Sequence, residues 1–512
     1  MMLRDNKWGF DLSLDNPFWI FPLLRKIAIE SVGEEQVVDL SRGDPGYGFC
    51  PSVKGREFYA FLLQIDNVLN NTQTLLVSDN RDDFETLRKK IEEMANSVYQ
   101  KAKAEEFMAA FDYFLEVIGK SVNGQGLHWD KRRIVFEIFK YSAVSGGSYL
   151  LPSGEILVKA VVADNYNKKL QSDVNYEDII LLQGVAQGIA TIFAFLCDEN
   201  IEFLKRGDNV LIASPVYVPY NTIMHNRGLN TYSIPIDPTT GLVSGDIDDI
   251  LAKAPENLKL ICLIDPNNPT GFMNDEAFLQ KIAEFAEKRD ALIVSDEVYS
   301  DFFVNRKKSI MSFARKRSII LGGRSKIERS TGLRFGEYII SKEAQEYIWK
   351  NLLKEKAFAS KNLMQALVFA KSPGSVRGEF QHVTFVPGPS QFLGISHMIF
   401  GEEDRQEYLK RVSMNMRSFY EILGLPYVGN LYYGCFDLLK IPGCKKEGID
   451  PHDIFIDLAK LGVVLLPANL FFSEEMRAEK DYRSFARASV PNVSPNHLTR
   501  AAEIIKKYLR TC

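Results

Sequence analysis

The sequence lacks the patterns of a metal-binding, disulfide-bonded or nucleic-acid-binding protein. Its six cysteines never form a CxxC pair and its six histidines never form HxxxH, so neither a structural metal nor a disulfide framework is expected. The net charge of -4 includes no basic block, which argues against nucleic acid or a membrane surface as partner. The apolar patch Phe18–Leu24 is too short for a signal peptide or membrane span. We therefore expect a cytoplasmic protein that binds small molecules.

What the chain does have is length and apolar content. Its 512 residues, 46% of them hydrophobic, are enough for two or three domains with sizeable cores. Helical periodicity from about Arg56 to Tyr141 predicts a long helical stretch. From Asp178 onward, short apolar runs alternate with helical segments, which is typical of a mostly parallel α/β sheet. These runs are DIILL, NVLIA, LKLICLI, ALIVS, SIILG and EYIIS.

The chain after Ser375 predicts a second, smaller α+β unit. It contains a helical stretch at 391–423, two strand candidates (GCFDLL and VVLLP) and a closing helix near 497–509. We therefore divide the chain into four segments. These are an N-terminal arm with the start of the small domain (1–50), a helical insertion (51–145), a large domain (146–372) and a small C-terminal domain (373–512).

Conspicuous residues follow the first two strand candidates, where ligands bind in open α/β sheets. After DIILL, a turn of small residues opens a helix, and its backbone NH groups around Val185 and Ala186 suit a phosphate. A plain strand-to-helix turn is the alternative interpretation. After NVLIA, Tyr217 lies in a proline-stiffened loop, where it either stacks on a ligand ring or simply packs.

The next two strand candidates are followed by polar residues. After LKLICLI, two prolines and a glycine fix a turn that aims Asn267 and Asn268. After ALIVS come Asp296 and, three residues later, Tyr299. A carboxylate at the end of a buried strand requires a cationic or hydrogen-bonding partner, and a protonated pyridine nitrogen would supply one. A helix N-cap is the other interpretation of Asp296.

The segment after SIILG contains a candidate nucleophile. By composition alone Lys326 would be a solvated surface charge. A partly desolvated site that is rich in positive charge, however, favours the free amine that Schiff-base formation requires. Arg334, eight residues later, has the planar guanidinium that clamps a phosphate with two hydrogen bonds.

Taken together and in this order, these strings resemble the fold-type I enzymes that depend on pyridoxal 5'-phosphate (PLP), of the aspartate aminotransferase class. The resemblance extends from about Ser41 to Val490. It implies an α/β fold with a mostly parallel central sheet flanked by helices, a smaller α+β domain and a helical insertion, and it makes 146–372 the PLP-binding domain. It also implies amino acid and 2-oxo acid substrates.

On the ring side of the cofactor, the resemblance assigns five residues. Lys326 is the Schiff-base lysine and then the general base that takes the α-proton. Asp296 pairs with the pyridine nitrogen and keeps it protonated. Asn268 and Tyr299 hydrogen-bond the ring hydroxyl, and Tyr217 stacks on the ring.

On the phosphate side, the resemblance assigns another five. The backbone at Val185 and Ala186, together with Ser325 and Arg334, holds the phosphate. Tyr149, five residues before a glycine as in the family's Y-x4-G pattern, reaches the phosphate of the neighbouring subunit. A homodimer or higher homo-oligomer is therefore implied.

For the substrate, the resemblance assigns Arg487 to the α-carboxylate and Gly43 to a close approach between substrate and backbone. Within the class, the chain is most similar to bacterial aspartate 4-decarboxylases, because of the insertion before Tyr149 and the string RGDPGYGF. A dicarboxylate requires a second cation. We therefore expect Arg42, which adjoins Gly43, to help recognise the side-chain carboxylate of aspartate.

Three positions depart from the family pattern. Gly323 stands where many members have a phosphate-binding serine, Val185 replaces a small residue in the phosphate turn, and Ala468 replaces a usual glycine. We expect cofactor binding to survive these changes, but they weaken the assignment of one activity.

Several activities share the residues named above. Transamination and 4-decarboxylation of aspartate use all of them, and an α,β-eliminating lyase would use the same Lys326. A non-catalytic PLP-binding regulator would need a basic DNA-binding segment ahead of the fold. The helical stretch before Tyr149 is mixed in charge, with clusters such as RDDFE and EEM, and does not supply one.

Overall fold

The computed structural model describes residues 17–45, 52–69, 83–142, 150–198, 203–306, 308–351, 386–446 and 448–511. The chain forms two compact units. The first contains Met1–Phe49, Leu204–Val304 and Glu407–Cys512, and the second contains Cys50–Phe203 and Asn305–Gln406. These units are defined by packing, and the division into four domains stays a prediction.

The first unit contains a run of four parallel strands in the order β6-β5-β3-β4. They are β3 (Asn209–Ser214), β4 (Asn230–Pro235), β5 (Leu258–Ile264) and β6 (Leu292–Asp296). Every residue of β6 and nearly every residue of β5 is buried, which explains their unbroken apolar sequences. Because parallel strands end at one edge of a sheet, Ser214, Asp265 and Asp296 lie at the same edge.

A second layer of the first unit joins distant parts of the chain. Strands β9 (Tyr433–Asp437), β11 (Leu466–Pro467) and β12 (Phe485–Ser489) form an antiparallel sheet in the order β11-β12-β9. Strand β1 (Val38–Asp39) pairs in parallel with β10 (Val463–Val464). The helices of this unit are α1 (Pro17–Val32), α8 (Val218–Asn226), α9 (Ile247–Ala252), α10 (Glu276–Arg289), α14 (Pro451–Lys460), α15 (Glu474–Glu479) and α16 (Pro495–Arg510).

The second unit is mainly helical. Its strands are β2 (Ile179–Leu182), β7 (Ser318–Gly323) and β8 (Gly336–Ile339), and β8 pairs antiparallel with both others. Its helices are α2 (Val53–Leu69), α3 (Phe84–Val98), α4 (Lys101–Gly124), α5 (Lys131–Ser142), α6 (Ile156–Leu170), α7 (Val185–Leu196), α11 (Lys342–Asn351) and α12 (Gly388–Phe400). Helix α13 (Glu402–Leu423) begins in this unit and continues in the first.

All six apolar runs form strands, and the expected mostly parallel sheet with flanking helices is confirmed. The helical stretch is not continuous, because separate signals start its helices. Asp83 caps α3 by accepting from Thr86 NH at 2.9 Å, and left-handed backbone at Gly126 and His128 separates α4 from α5. Among the residues placed in the structure, no helix combines the length and apolar content that a membrane crossing requires.

Candidate functional site

The turn that opens α7, in the second unit, is shaped for an anion. Gly184 precedes the helix at φ 85°, a region that favours glycine, and a Cβ at this position would overlap the guanidinium of Arg334. Arg334 donates to the carbonyls of Gln183, at 3.2 Å, and Thr331, at 3.0 Å. These two bonds hold a cation against the backbone of the turn.

The NH groups of Val185 and Ala186 begin α7. Amides of a first helical turn have no acceptor within their own helix and lie at the positive end of its dipole. The turn therefore combines backbone donors and the positive end of a helix dipole with the adjacent Arg334 guanidinium. Such a combination suits a phosphate.

Two of the departures from the family pattern lie close together. A Cβ at Gly323, the last residue of β7, would lie 3.2 Å from Val185 Cγ2. A serine at 323 would therefore crowd the valine, and the larger side chain at 185 fills space that the glycine leaves. The two changes are complementary.

Lys326 lies in a tight turn after β7. It is half-buried and follows the buried Ser325. Arg329 NH donates to the Lys326 carbonyl at 3.2 Å, and Ser330 NH donates to the Ser325 carbonyl at 3.1 Å. These bonds close the segment 325–330 on itself.

A buried ion pair supports this segment. Arg405 Nη1 lies 2.6 Å from Glu328 Oε1, and the two side chains are only 7% and 3% exposed. Arg405 also donates to Glu402 at 2.7 Å and to the Met398 carbonyl at 3.1 Å. Burial raises the pKa of Glu328, and Arg405 opposes that shift. Glu328, two residues after Lys326, is thereby fixed to α13.

In the first unit, Asp296 ends β6 and is 3% exposed. Its Oδ1 accepts from Val298 NH at 3.2 Å, and its carbonyl accepts from Asp265 NH at 2.9 Å. The carboxylate thus lies at the sheet edge, at the position that the sequence predicted. Its pairing with a pyridine nitrogen stays a prediction.

The two adjacent asparagines differ in their contacts. Asn267 Nδ2 donates to the Pro215 carbonyl at 3.0 Å, and its Oδ1 accepts from Thr270 NH and Oγ1 at 3.1 and 2.9 Å. Asn268 Oδ1 instead accepts from Arg487 Nη1 at 3.5 Å. Asn267 therefore fixes the turn, whereas Asn268 faces the predicted substrate-binding arginine.

Arg487 lies on β12 and is 5% exposed. Its Nη2 donates to the Ser41 carbonyl, and its guanidinium carbon lies 4.7 Å from the centre of the Tyr433 ring. Its Nε has no hydrogen-bond partner, and no carboxylate of the described residues forms an ion pair with it. A buried cation without a counterion is costly. The arrangement therefore favours an anionic ligand.

Three tyrosines and Gly43 complete this cluster. Tyr299 Oη and Tyr433 Oη are 2.8 Å apart, and Tyr432 Oη donates to the Gly43 carbonyl at 3.0 Å. A Cβ at Gly43 would lie 2.5 Å from Tyr433 Oη, so the glycine is required by a tyrosine of the same unit. Burial, followed by the nearby Tyr433 and Tyr432, raises the pKa of Tyr299 well above its usual value. Tyr299 is therefore a neutral phenol that can donate.

Three further predicted residues have no confirmed role. Tyr217 precedes α8 and packs, half-buried, against the core of the first unit, and its stacking role stays a prediction. Arg42 pairs with Asp44 at 2.8 Å and its side chain is 36% exposed. Tyr149 is outside the described residues.

Three members of the cluster were not predicted from the sequence. Tyr432 and Tyr433 adjoin the strand candidate GCFDLL, and this pair of adjacent aromatics was the available signal. Ser41 contributes only its carbonyl to Arg487, and a backbone group leaves no signal in the side-chain pattern. In the described part of the chain, no three His, Cys, Asp or Glu side chains are grouped as a metal site would require.

A mostly parallel sheet flanked by helices is the fold of the type I PLP enzymes, and solved aminotransferase structures share this fold. Residues 145–505 match the family model for aminotransferase class I and II. The chain belongs to this family, and its cofactor is PLP.

Known relatives agree with this assignment. An aspartate aminotransferase of Sulfolobus acidocaldarius is 24% identical over 387 residues, which are 72% of this chain and 86% of that protein. An S-alkyl-thiohydroximate lyase of Arabidopsis thaliana is 32% identical over 154 residues, 30% of this chain and 32% of the other. A probable N-succinyldiaminopimelate aminotransferase from Thermus thermophilus has a solved structure with TM-score 0.62 and 16% identity, covering 96% of this chain and 100% of that one.

The described residues fit this cofactor. A Cβ at Gly184 would fill the cradle beside Arg334, and a phosphate suits that cradle because it is lined by donors and positive charge. A protonated pyridine nitrogen is a suitable partner for the buried Asp296 carboxylate.

Proposed function

We propose that this enzyme is an aminotransferase for aspartate, with release of the 4-carboxylate, which gives alanine and carbon dioxide, as a second reaction of the same site. The observation that carries the proposal is Arg487, a buried guanidinium with no carboxylate partner among the described residues. A planar guanidinium suits the α-carboxylate of an amino acid. The choice of aspartate is supported by the relatives that carry this activity in their names.

In the proposed mechanism, PLP supplies an electron sink for the charge that develops at the substrate α-carbon. Lys326 would carry the cofactor covalently, and its Nζ would receive the α-proton. The Asp296 carboxylate would keep the ring nitrogen protonated. Asn268 and Tyr299 would hydrogen-bond the ring hydroxyl, and Tyr217 would stack on the ring.

The phosphate is assigned to the Gly184 turn of the second unit. Its donors are the NH groups of Val185 and Ala186, the Ser325 hydroxyl and the Arg334 guanidinium. Tyr149 of a neighbouring subunit is assigned to the same phosphate, so we propose a homodimer or a higher homo-oligomer, which light scattering on the purified protein would test. A cytoplasmic location stays a prediction.

Arg42 is assigned to the side-chain carboxylate of aspartate, and Gly43 to the close approach of the substrate. The ion pair between Arg42 and Asp44 bears on this assignment. A substrate carboxylate would have to share or displace the Asp44 carboxylate. We therefore expect Arg42 to contribute less than a fully unpaired arginine would.

The test is incubation of the purified protein and PLP with each amino acid, with and without 2-oxoglutarate. Aspartate-dependent glutamate formation supports the aminotransferase, and alanine with carbon dioxide supports 4-decarboxylation. Release of pyruvate, ammonia and a thiol from a cysteine conjugate would instead identify a lyase, an alternative favoured by the Arabidopsis relative. Bound PLP without turnover of any amino acid would indicate a regulator and would refute the proposal.

Lys326 is tested by a separate experiment. Borohydride reduction of the holoenzyme should fix the cofactor to the peptide that contains Lys326, and Lys326→Arg should abolish this labelling. Lys342→Arg changes an exposed lysine of the same unit and should leave the labelling intact. A label on another peptide would contradict the assignment of the whole site.

A further inference from the structure

Tyr433 contacts two residues to which the proposed function assigns different tasks. Its ring lies against the Arg487 guanidinium at 4.7 Å, and its hydroxyl lies 2.8 Å from Tyr299 Oη. Arg487 is assigned to the substrate carboxylate and Tyr299 to the cofactor ring. One side chain of the first unit therefore contacts both a substrate-binding and a cofactor-binding residue.

The sheet register explains the first contact. Arg487 pairs with Cys435 across β12 and β9, and Tyr433 is two residues before Cys435 on β9. Residues two apart on a strand point to the same face, and such a diagonal neighbour is within reach of long and aromatic side chains. The stacking of Tyr433 on Arg487 is therefore set by the pairing of the two strands.

Three features of the surrounding chain fix the backbone of Tyr433 in this place. Tyr432 has φ 69°, a left-handed conformation that is uncommon for a residue with a side chain. Asn430 Nδ2 donates to the Tyr433 carbonyl at 3.0 Å. At Gly271, any Cβ would overlap the carbonyl oxygen of Tyr433. The loop before β9 is thus packed directly on the turn that contains Asn268.

Either hydroxyl can be the donor in the contact between Tyr299 and Tyr433, and the distances favour Tyr433. Tyr433 Oη lies 3.4 Å from the Gly43 carbonyl but 2.8 Å from Tyr299 Oη. The same carbonyl already accepts from Tyr432 Oη at 3.0 Å. The Tyr433 hydrogen is therefore best placed on the shorter bond, toward Tyr299. Tyr299 then accepts from Tyr433 and keeps its own hydrogen for another acceptor.

We propose that Tyr433 is a positioning residue that donates to Tyr299 Oη while its ring orients Arg487. This inference rests on the proposed roles of Tyr299 and Arg487. A hydroxyl that accepts a hydrogen bond becomes a stronger donor. Tyr433 therefore strengthens the hydrogen bond from Tyr299 to the ring oxygen of the cofactor. Its ring also fixes the orientation of the Arg487 guanidinium plane toward the substrate carboxylate.

The decisive variant is Tyr433→Phe, which removes the hydroxyl and keeps the ring. A weaker hydrogen bond to the ring oxygen of the cofactor raises the proton affinity of the bound cofactor. In the holoenzyme, the pH midpoint of the cofactor's absorbance change should therefore rise by roughly half a pH unit. The KM for aspartate should stay within about two-fold, because the contact with Arg487 remains.

Tyr433→Leu removes the ring as well. It should show the same absorbance shift and, in addition, a KM for aspartate about 10-fold higher, since a desolvated cation–π contact is lost. Tyr232→Phe is the matched control, because it removes a tyrosine hydroxyl of the same unit that donates to a backbone carbonyl away from Tyr299, that of Ile250 at 2.7 Å. It should leave the absorbance midpoint at the wild-type value.

The coupling is tested in a Tyr299→Phe background. If Tyr433 acts through Tyr299, Tyr433→Phe should add no further shift there, since the two effects share one hydrogen bond. An equal shift in both backgrounds, or no shift in either, overturns the inference while leaving the proposed function intact. A wild-type holoenzyme without a cofactor band fixed to Lys326 would overturn both. Circular dichroism of each variant would confirm that it is folded.

Discussion

The cluster around Arg487 in the first unit and the turn at Gly184 in the second unit are built differently for the ligands that we propose. In the cluster, buried side chains provide the polar groups, and Asn268 and Arg487 are only 3% and 5% exposed. In the turn, most donors belong to the backbone, and the Arg334 side chain is exposed. A site built from side chains depends on their identity, whereas a site built from backbone depends on the path of the chain.

This difference explains two of the three departures from the family pattern, those at Gly323 and Val185 in the second unit. Gly323 and Val185 differ from the usual residues at the phosphate turn, yet the NH groups of α7 remain in place, because a backbone donor survives a change of side chain. A Cβ at position 323 would lie 3.2 Å from Val185 Cγ2, so the glycine suits the larger residue at 185. We therefore expect the function of the first unit to depend on the identity of its side chains. Cofactor binding by the second unit should depend on its backbone conformation and on the contacts that stabilise it.

Asp296→Ala is expected to have the largest effect. It should lower kcat by about 10³-fold, because a preorganised charge that acts on the reacting system is lost. Bound PLP should largely persist, since the phosphate turn is unchanged. Absorbance spectra and initial rates measure the two effects. Asp248→Ala, which changes a 69% exposed aspartate of the same unit, is the control, and near-wild-type turnover in Asp296→Ala would remove it from the mechanism.

Arg405→Met tests how far the stability of the second unit depends on the buried ion pair between Arg405 and Glu328. It leaves Glu328 buried without its cation, so the free energy of unfolding should fall by about 3 kcal/mol. Without Arg405, the pKa of Glu328 in the folded protein lies further above its value in the unfolded chain. The folded state then binds the proton more tightly, and stability should decrease as pH rises through that interval.

Urea unfolding of the Arg405→Met variant at pH 6 and pH 8 measures this effect, and the deficit relative to wild type should be larger at pH 8. The double variant Glu328→Gln/Arg405→Met should recover part of the loss, since no unpaired charge remains. A deficit that is independent of pH would show that packing, and not the charge of Glu328, is responsible.

Gly184→Ala tests the dependence on backbone. It should weaken PLP binding about 30-fold, because the Cβ both opposes a positive φ and displaces Arg334. Titration of the apo-protein with PLP, followed by absorbance, gives the affinity. Gly207→Ala is the matched control, since Gly207 has φ 88° but a Cβ added there would meet no atom within 4 Å. Equal losses in the two variants would mean that strain alone, without Arg334, accounts for the result.

Arg42→Ala should have the smallest effect and the most selective one. We expect kcat/KM to fall about 10-fold for aspartate and little for a monocarboxylic amino acid, since one partly exposed charge contact is lost. Asp44→Asn, which removes the competing carboxylate, should raise kcat/KM for aspartate. Equal changes on both substrates would exclude Arg42 from recognition of the side chain.

The sequence predicted the strands and the residues after them well, because a buried parallel strand has an unbroken apolar sequence and its end is marked by polar residues. Asp296 and Asn268 both lie where these patterns indicated. Strands β1, β4 and β12 were missed. The sequence of β12, FARAS, includes the polar Arg487 and Ser489, so it does not have the apolar pattern of a strand even though all five residues are buried.

Contacts between distant parts of the chain could not be predicted. The stacking of Tyr433 on Arg487 depends on the register of β9 and β12, and one residue of slip would turn the ring to the other face. The ion pair between Glu328 and Arg405 joins residues that no local pattern connects. The local pattern did not separate Asn267 from Asn268. The family resemblance selected Asn268, and the fold shows that the two side chains have different partners.

The pairing of β1 with β10 has a consequence for biosynthesis. Val38 and Val463 are partners although more than 400 residues separate them, and the same core contains Leu24 and Ile505. During translation, the segment that contains α1 and β1 leaves the ribosome long before its partners are synthesised. Its apolar side chains therefore stay exposed until then. We expect a nascent chain arrested before α14 to bind holdase chaperones through this segment. A chain that extends through α16 should no longer bind them.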